Sequence, residues 1–446
     1  MKPPVTEPPR GRVRWHAIWA VALLSATGFF TTADMTVLPA VQGGIKAEFG
    51  LSFTQIGLLN AAFTVALGLG ALPLGVWADR GSRRTVIGLG VLVWSLFTLL
   101  TGVTQSFVQM LLVRGMVGIG EASNQPAGTS LIGDYFTKHS RGRANAAVLA
   151  LAGLGVGAGF IVGGVVGLKF GWRAAFFVAG GPGLLLGLLA FTIREPLRGA
   201  AESSGPRLAA TRDAGLRGFG RLLRVRTFVA AAAAGAAANF GFAILTFLPL
   251  YVQHRYRLDV AQAGGLVGGV QLAAVVVAAP LIGGMIDWRA RRTARAAVEV
   301  GLVGTLLAAG AAAAIFTAPS VPVLAVAMLA FSVSSAAAVM APIVILQNVI
   351  VPSLRATAGS MNLTFSRLVG SALSPIVVGV LTDLTRGDLG QSMLLLGPAA
   401  FLLSAGCLAL TRMQQDAAAM EASWATRQVA DLAPPAVPLA GEAARA

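Results

Sequence analysis

Three observations predict an all-α integral membrane fold of twelve transmembrane helices in two six-helix pseudo-symmetric bundles: an apolar composition, twelve helix-length apolar runs, and loop motifs that occur once in each half. Of 446 residues 56% are hydrophobic and only 12% charged, with mean hydropathy +0.75, whereas a soluble domain carries about 25% charged residues. The 55 glycines and many alanines recur inside the apolar runs, which suits helices that associate in lipid by close backbone packing. A bilayer core of ~30 Å takes roughly 20 apolar residues per helix.

The first run, 16–40, follows Lys2, Arg10, Arg12 and Arg14. It is too long for the apolar region of a signal peptide and eleven more runs follow, so it reads as a retained helix. Runs two and three, 54–78 and 85–105, flank a basic turn from Arg80 to Arg84. The fourth, 107–133, contains Arg114 and Glu121, and the fifth and sixth, 144–168 and 174–193, complete an N-terminal bundle with a short tail, 1–193. The one long internal loop, 194–227, is rich in Arg, Gly, Ala and Ser and reads as a linker between halves. Its end places Arg221, Leu222, Leu223, Arg224 and Arg226 where a short basic amphipathic helix could lie on an anionic leaflet; ordinary loop charge explains the same residues. Runs seven to twelve, 228–253, 262–286, 296–317, 321–348, 357–382 and 391–411, make the C-terminal bundle, 228–411. The tail 412–446, with Pro434, Pro435 and Pro438, is expected to be disordered.

Alternate loops carry very different charge. One side holds 26 of the 34 Lys and Arg residues, and the other holds Lys46, Lys169, Arg173, Arg255, Arg257 and Arg386. By the positive-inside rule both termini, the linker and the tail face the cytoplasm, and a bacterial-type cytoplasmic (inner) membrane is expected. The net charge of +16 sits in these short loops, so no nucleic-acid partner is implied. The single Cys407 excludes a disulfide framework. No metal spacing and no nucleophile with a base stand out, so an enzyme is disfavoured and no cofactor is expected.

The loop GVWADRGSRR, Gly75 to Arg84, returns in weaker form as GGMIDWRARR, Gly283 to Arg292, and Arg143-Ala-Asn-Ala before the fifth run is matched by Arg355-Ala-Thr-Ala before the eleventh. Such pairs indicate a duplicated half. The first loop resembles the signature of the major facilitator superfamily, Gly-x-x-x-Asp-Arg-x-Gly-Arg-Arg, with Ser82 at the second Gly. The resemblance implies a gating loop of Gly75, Asp79, Arg80, Arg83 and Arg84, with Asp287 in the second copy. Gly75 would permit close helix contact, and Asp79 could meet a basic group or a helix N-terminus. RGMVGIGEASNQPAGTSLIGDYF (114–136), GWRAAFFVAGGPGLLLG (171–187) and SRLVGSALSPIVVGVLTD (366–383) resemble the spinster-like branch. Its first helix usually carries Asp-Arg where this chain has Phe30 and Thr31, and Arg367 stands where His is usual. Asp34, within DMTVLP, is more similar to first helices of drug and metabolite exporters, and GVGAGFIVGG (155–164) resembles the antiporter motif with Phe160 in place of Pro. Its glycines serve equally as a small-residue packing face.

Ionisable residues inside a membrane are costly and therefore candidates for function; Asp34, Arg114, Glu121 and Arg367 qualify. At 1.5 Å rise per residue Asp34 and Arg114 both lie roughly 10 Å outside the midplane, a depth that allows an ion pair, and Glu121 and Arg367 both lie near the centre. On the resemblance, Arg114 and Arg367 would bind an anionic head group, with Asn124, Asn239 and Asn362 as further substrate contacts. Glu121 and Asp34 would couple protons, since burial disfavours a charged carboxyl. Asp34–Arg114 and Glu121–Arg367 could equally be structural pairs that hold a closed state. Gln125, Gln271 and Gln347 are more readily interhelical hydrogen-bonders, Phe240, Phe242 and Phe247 packing residues, and Glu299 a partner for Arg295. His16, His139 and His254 fall in tails or loops. The leading expectation is a monomeric, proton-coupled secondary active transporter that moves an amphiphilic or small organic anion, lysolipid-like or a carboxylate or phosphate, by alternating access among membrane lipids. A drug-type proton antiporter for apolar or cationic compounds is the alternative, and a non-transporting sensor or scaffold the reading from another class.

Overall fold

In the computed structural model residues 10–196, 220, 222–293, 295–350 and 354–411 are described. Among them the chain is helical throughout with no strand. The first half comprises α1 (Arg10–Phe49), α2 (Phe53–Arg80), α3 (Arg83–Thr101), α4 (Phe107–Glu121), α5 (Asn124–Tyr135), α6 (Lys138–Phe170) and α7 (Trp172–Ala190). The second comprises α8 (Arg226–Ala243), a 3-10 turn (Ile244–Phe247), α9 (Leu248–Tyr256), α10 (Val260–Ala290), α11 (Ala296–Thr317) and α12 (Val321–Val349). It ends with α13 (Arg355–Phe365), a π-helical turn (Ser366–Ala372), α14 (Leu373–Leu384) and α15 (Leu389–Ala409). Eleven of the described helices or joined helices are long and apolar enough to cross a membrane. The twelfth crossing is the pair α4–α5, whose segments are individually too short. Most of the expected linker, all of the tail beyond 411, and Arg221 lie outside the described residues. Of the expected amphipathic segment, Leu222 is buried in the second half while Leu223 is exposed.

Local chemistry sets the helix starts. Ser52 and Gln55 form a reciprocal capping box at α2, as do Asp259 and Gln262 at α10, each satisfying N–H groups that a helix start leaves open. Ser82 and Ser106 cap α3 and α4 through the N–H groups of Thr85 and Gln109. The first helix does not stop near residue 40 as expected: it passes through Pro39 and runs on to Phe49. Gln42 is the reason, because its amide, fully buried, donates to the Thr246 carbonyl at 2.9 Å, so a polar residue continues the helix instead of ending it.

Three crossings expected as single helices are broken. The fourth breaks at Ala122–Ser123, the seventh through its 3-10 turn, and the eleventh through its π turn. The 3-10 and π turns keep the chain helical through the seventh and eleventh crossings, since local adjustments of this kind re-satisfy backbone groups where a membrane helix is interrupted.

The two halves meet unevenly. One apolar core runs across both, joining Val37, Leu38 and Ile56 of the first half to Phe247, Tyr251 and Val378 of the second. It lies on the side away from the termini, where the start of α2 meets the end of α14, and the second half of α6 meets the first half of α10. On the side of the termini the cores are separate: Val86, Val91 and Leu131 belong to a cluster confined to the first half, and Phe228, Ile345 and Leu354 to one confined to the second. The halves are therefore sealed on the far side and parted on the terminal side.

Candidate functional site

The first half carries a buried charge cluster built on α1 and α4. Arg114 and Asp34, 1% and 0% exposed, approach with Arg114 Nη1 3.3 Å from Asp34 Oδ2. The guanidinium lies 5.0 Å from the centre of the Phe63 ring on α2, so the cation gains a π face where water is excluded. The pair is under-satisfied: Arg114 Nε has no hydrogen-bond partner, and the Thr98 hydroxyl lies beside the Asp34 carboxylate. Arg114 thus sits with Asp34, as the depth argument allowed, and is closed off from any ligand in this conformation.

Glu121 ends α4, seven residues beyond Arg114, on nearly the same face. Its backbone position is set by glycines. A Cβ at Gly118 would strike the Phe63 carbonyl on α2, and one at Gly120 would come within 2.5 Å of Trp94 N on α3, so α4 is pressed between two neighbours. Immediately afterwards the helix breaks, with Ser123 Oγ returning to the Gly120 carbonyl at 2.9 Å. The Glu121 carboxyl is 3% exposed, and neither of its oxygens has a hydrogen-bond partner. Asp34, Arg114 and Arg367 form its charged surroundings.

Arg367 approaches from the second half on the π turn. That turn backs onto α8 through Gly370, where a Cβ would come within 2.6 Å of the Ala236 carbonyl and 2.8 Å of Asn239 Cβ; π turns inside helices are frequent at functional sites. Arg367 keeps part of its surface open. It interacts electrostatically with Glu121 across the gap between halves, but the direct Glu121–Arg367 ion pair weighed from the sequence is not formed.

The polar candidates divide. Asn124 Nδ2 donates to Thr27 Oγ1 at 3.4 Å within the first half, and Asn239 Nδ2 to the Gly235 carbonyl of its own helix at 2.8 Å. Asn362 Oδ1 and Ser366 Oγ are buried beside Gly235 without partners. Gln271 accepts from Ser332 Oγ at 2.8 Å, an interhelical bond inside the second half, while Gln347 is exposed and the Gln125 side chain lies outside the described ones. Phe247 is fully buried.

The gating loop binds through one of its arginines. Arg83 is 1% exposed; it pairs with Asp134 at the end of α5 and donates to Ser130 Oγ at 3.2 Å and the Pro196 carbonyl at 3.3 Å. Its neighbours Arg80 and Arg84 are exposed, although the Arg84 N–H reaches Glu195 at 2.7 Å. A Cβ added at Gly75 would lie 3.7 Å from Pro126 Cβ, an ordinary van der Waals contact, so the glycine expected there for close helix approach is not required, and the Asp79 side chain lies outside the described ones. In the second copy Asp287 is exposed, and Glu299 takes Arg289 at 2.5 Å, not Arg295 as expected. Asp134 and Glu195 went unrecognised from the sequence; the signal available was their place just past the terminal-side ends of the fourth and sixth runs, on the side where Arg83 must find a partner. Among the described residues no cluster of His, Cys, Asp and Glu could hold a metal.

Comparison with known proteins agrees with this architecture. A family model described as Major Facilitator Superfamily matches residues 23–375. An MFS-type efflux pump of Mycolicibacterium smegmatis is 29% identical over 410 residues, 89% of this chain and 93% of that one. The mouse sphingosine-1-phosphate transporter SPNS2 is 30% identical over 394 residues, 84% of this chain and 71% of that one. Among solved structures, a bacterial homolog to the human lysosomal transporter Spinster, inward-facing and unoccupied, superposes with TM-score 0.74 at 24% identity, over 94% of this chain and 99% of that one.

Proposed function

The chain belongs to the major facilitator superfamily, and from that premise we propose that it is a proton-coupled secondary transporter of an amphiphilic or small organic anion. One observation carries the proposal: the carboxyl of Glu121, buried and without a partner, stands at the border between halves, within the electrostatic reach of Arg367 in the opposite half. A buried carboxylate lacking a partner is costly, while the same group carrying a proton is far less so. An anion arriving on Arg367 removes the positive charge that favours ionised Glu121, so anion binding and protonation of Glu121 support each other. Asp34 and Arg114 extend the cluster behind Glu121. Protonation of Asp34 would free Arg114 toward the anion, so the two act in sequence and not as a preformed clamp. A guanidinium suits phosphate and carboxylate alike, and the similarity to a sphingosine-1-phosphate transporter favours an anionic head on an apolar chain. Asn239 and Asn362, on α8 and α13 near Arg367, would contact the same head group. The protein acts as a monomer, since the two halves of one chain enclose the pathway, and the terminal side faces the cytoplasm of an inner membrane.

Proton flux into proteoliposomes tests the reading. Lysophospholipids and organic anions are expected to evoke proton movement that Glu121→Gln and Arg367→Ala each abolish. The similarity to an efflux pump favours a second reading, drug-type export. That reading replaces the first if lipophilic cations alone move protons and Arg367→Ala leaves the flux intact.

A further inference from the structure

The far-side seal contains a carboxylate that the binding site does not use. Asp383, in the last turn of α14, accepts from the Phe53 N–H at 3.0 Å through Oδ1, and from the Thr54 N–H at 2.9 Å and the Thr54 hydroxyl at 2.6 Å through Oδ2. These are the opening residues of α2, in the other half of the molecule. The first N–H groups of a helix lack intrahelical partners and form the positive end of its dipole. Ser52 already serves Gln55 N, so the carboxylate from α14 completes the cap by taking the two N–H groups that Ser52 leaves free.

The packing beneath the contact is shaped to deliver it. One turn before Asp383, Gly379 lies so close to the Phe53 carbonyl that no Cβ would fit, and two turns earlier Gly57 of α2 stands against the Pro375 carbonyl in the same way. Two backbones in direct contact hold the end of α14 at the start of α2, and Lys46 lies over the Phe53 ring, 4.6 Å from its centre. Each member of this antiparallel pair carries an aspartate near its C-terminal end, Asp79 on α2 and Asp383 on α14.

We propose that Asp383 is the latch of the outer gate: its carboxylate, seated on the N-terminus of α2, stabilises the conformation sealed on the far side and must leave all three donors together when the halves rock to open it. Because the contact crosses between halves, its loss selects between conformations and leaves each bundle's own packing untouched. The inference rests on the transporter reading only for the existence of an outward-open state, and its test measures conformation without substrate, so it fails or stands apart from the anion–proton proposal.

The experiment places nitroxide labels at Gln105→Cys and His254→Cys, exposed outer positions in opposite halves, in a Cys407→Ser background, with an Arg80→Cys/Arg291→Cys pair on the terminal side. Pulsed electron resonance then reads both distances. A cap of this kind shifts the equilibrium by roughly fivefold to tenfold. Asp383→Ala is expected to raise the population at the long outer distance by that factor while the inner pair closes, and Thr54→Ala, which removes one donor of three, by about twofold. Distance distributions identical to the parent's in Asp383→Ala would overturn the latch. Should that variant fail to fold, unchanged distances in Thr54→Ala overturn it equally.

Discussion

Arg114 and Asp34 form an ion pair from which water is excluded, and the cost of such a pair depends on whether both partners are present. Removing one leaves the other buried and uncompensated, a loss of roughly 3–5 kcal/mol, whereas replacing both is often close to neutral. Arg114→Met is therefore expected to lower the unfolding midpoint of the detergent-solubilised protein sharply, and Asp34→Asn/Arg114→Met to recover most of the loss; a double variant no more stable than the single would show that the two charges are independent. This pair was legible in the sequence because rise per residue places both side chains at one depth on helices running in opposite directions. Glu121 and Arg367 also share a depth, yet they do not pair. Depth along a helix says nothing of the distance between halves, nor of the π turn that carries Arg367. Arg83 and Arg84 show a different limit. Adjacent and chemically identical in the motif, they differ wholly in burial, because α3 turns Arg83 toward Asp134 and Arg84 toward solvent.

The elements owe their spacing to small residues, and the α1–α6 contact shows how. Thr32 and Thr36 on α1 donate to the carbonyls of Ala152 at 2.5 Å and Val156 at 3.0 Å on α6, while Gly155 and Gly159 lie so close to the Phe29 and Ala33 carbonyls that a Cβ at either would overlap them. The GVGAGFIVGG stretch, readable as an antiporter motif or a packing face, does the latter here, with Phe160 buried where a proline would have bent the helix. Gly155→Val forces backbone against backbone and is expected to cost about 1–3 kcal/mol or prevent assembly. Gly115→Ala, in open space on α4, should instead gain roughly 0.5–1 kcal/mol by helix propensity. Thermal unfolding of the two variants side by side checks this, and equal midpoints would refute the role given to the α1–α6 seam. Helix existence was legible in apolar run length. The breaks at Ala122–Ser123 and at Ser366–Ala372 were not, since an apolar run has the same composition whether its helix is continuous or interrupted, and what interrupts it is contact with α2, α3 and α8.

At the scale of the whole molecule the sequence shows two halves and the side that carries the positive loops, but not which conformation the halves adopt, because a transporter's alternative states differ little in the surface they bury. The structure adds that choice. A single core bridges the halves on the far side, and separate cores line the terminal side. Thr129 offers a direct probe, being exposed on α5, a helix whose Asn124 turns to α1 and whose Ser130 turns to Arg83. In a Cys407→Ser background, Thr129→Cys is expected to react with a membrane-impermeant maleimide in inside-out vesicles and to resist it in intact cells. Arg80→Cys, exposed in the α2–α3 turn, reports orientation independently of the opening. Labelling of both positions only from inside places the termini in the cytoplasm and the opening beside them. Labelling of Arg80→Cys from outside would reverse the assigned orientation. If Arg80→Cys reacts from inside while Thr129→Cys reacts from neither side, the terminal-side opening is absent from the resting protein. An anion that favours the form closed on the terminal side should slow the Thr129→Cys reaction by the factor by which it shifts the population, and one that binds both forms equally should leave the rate unchanged.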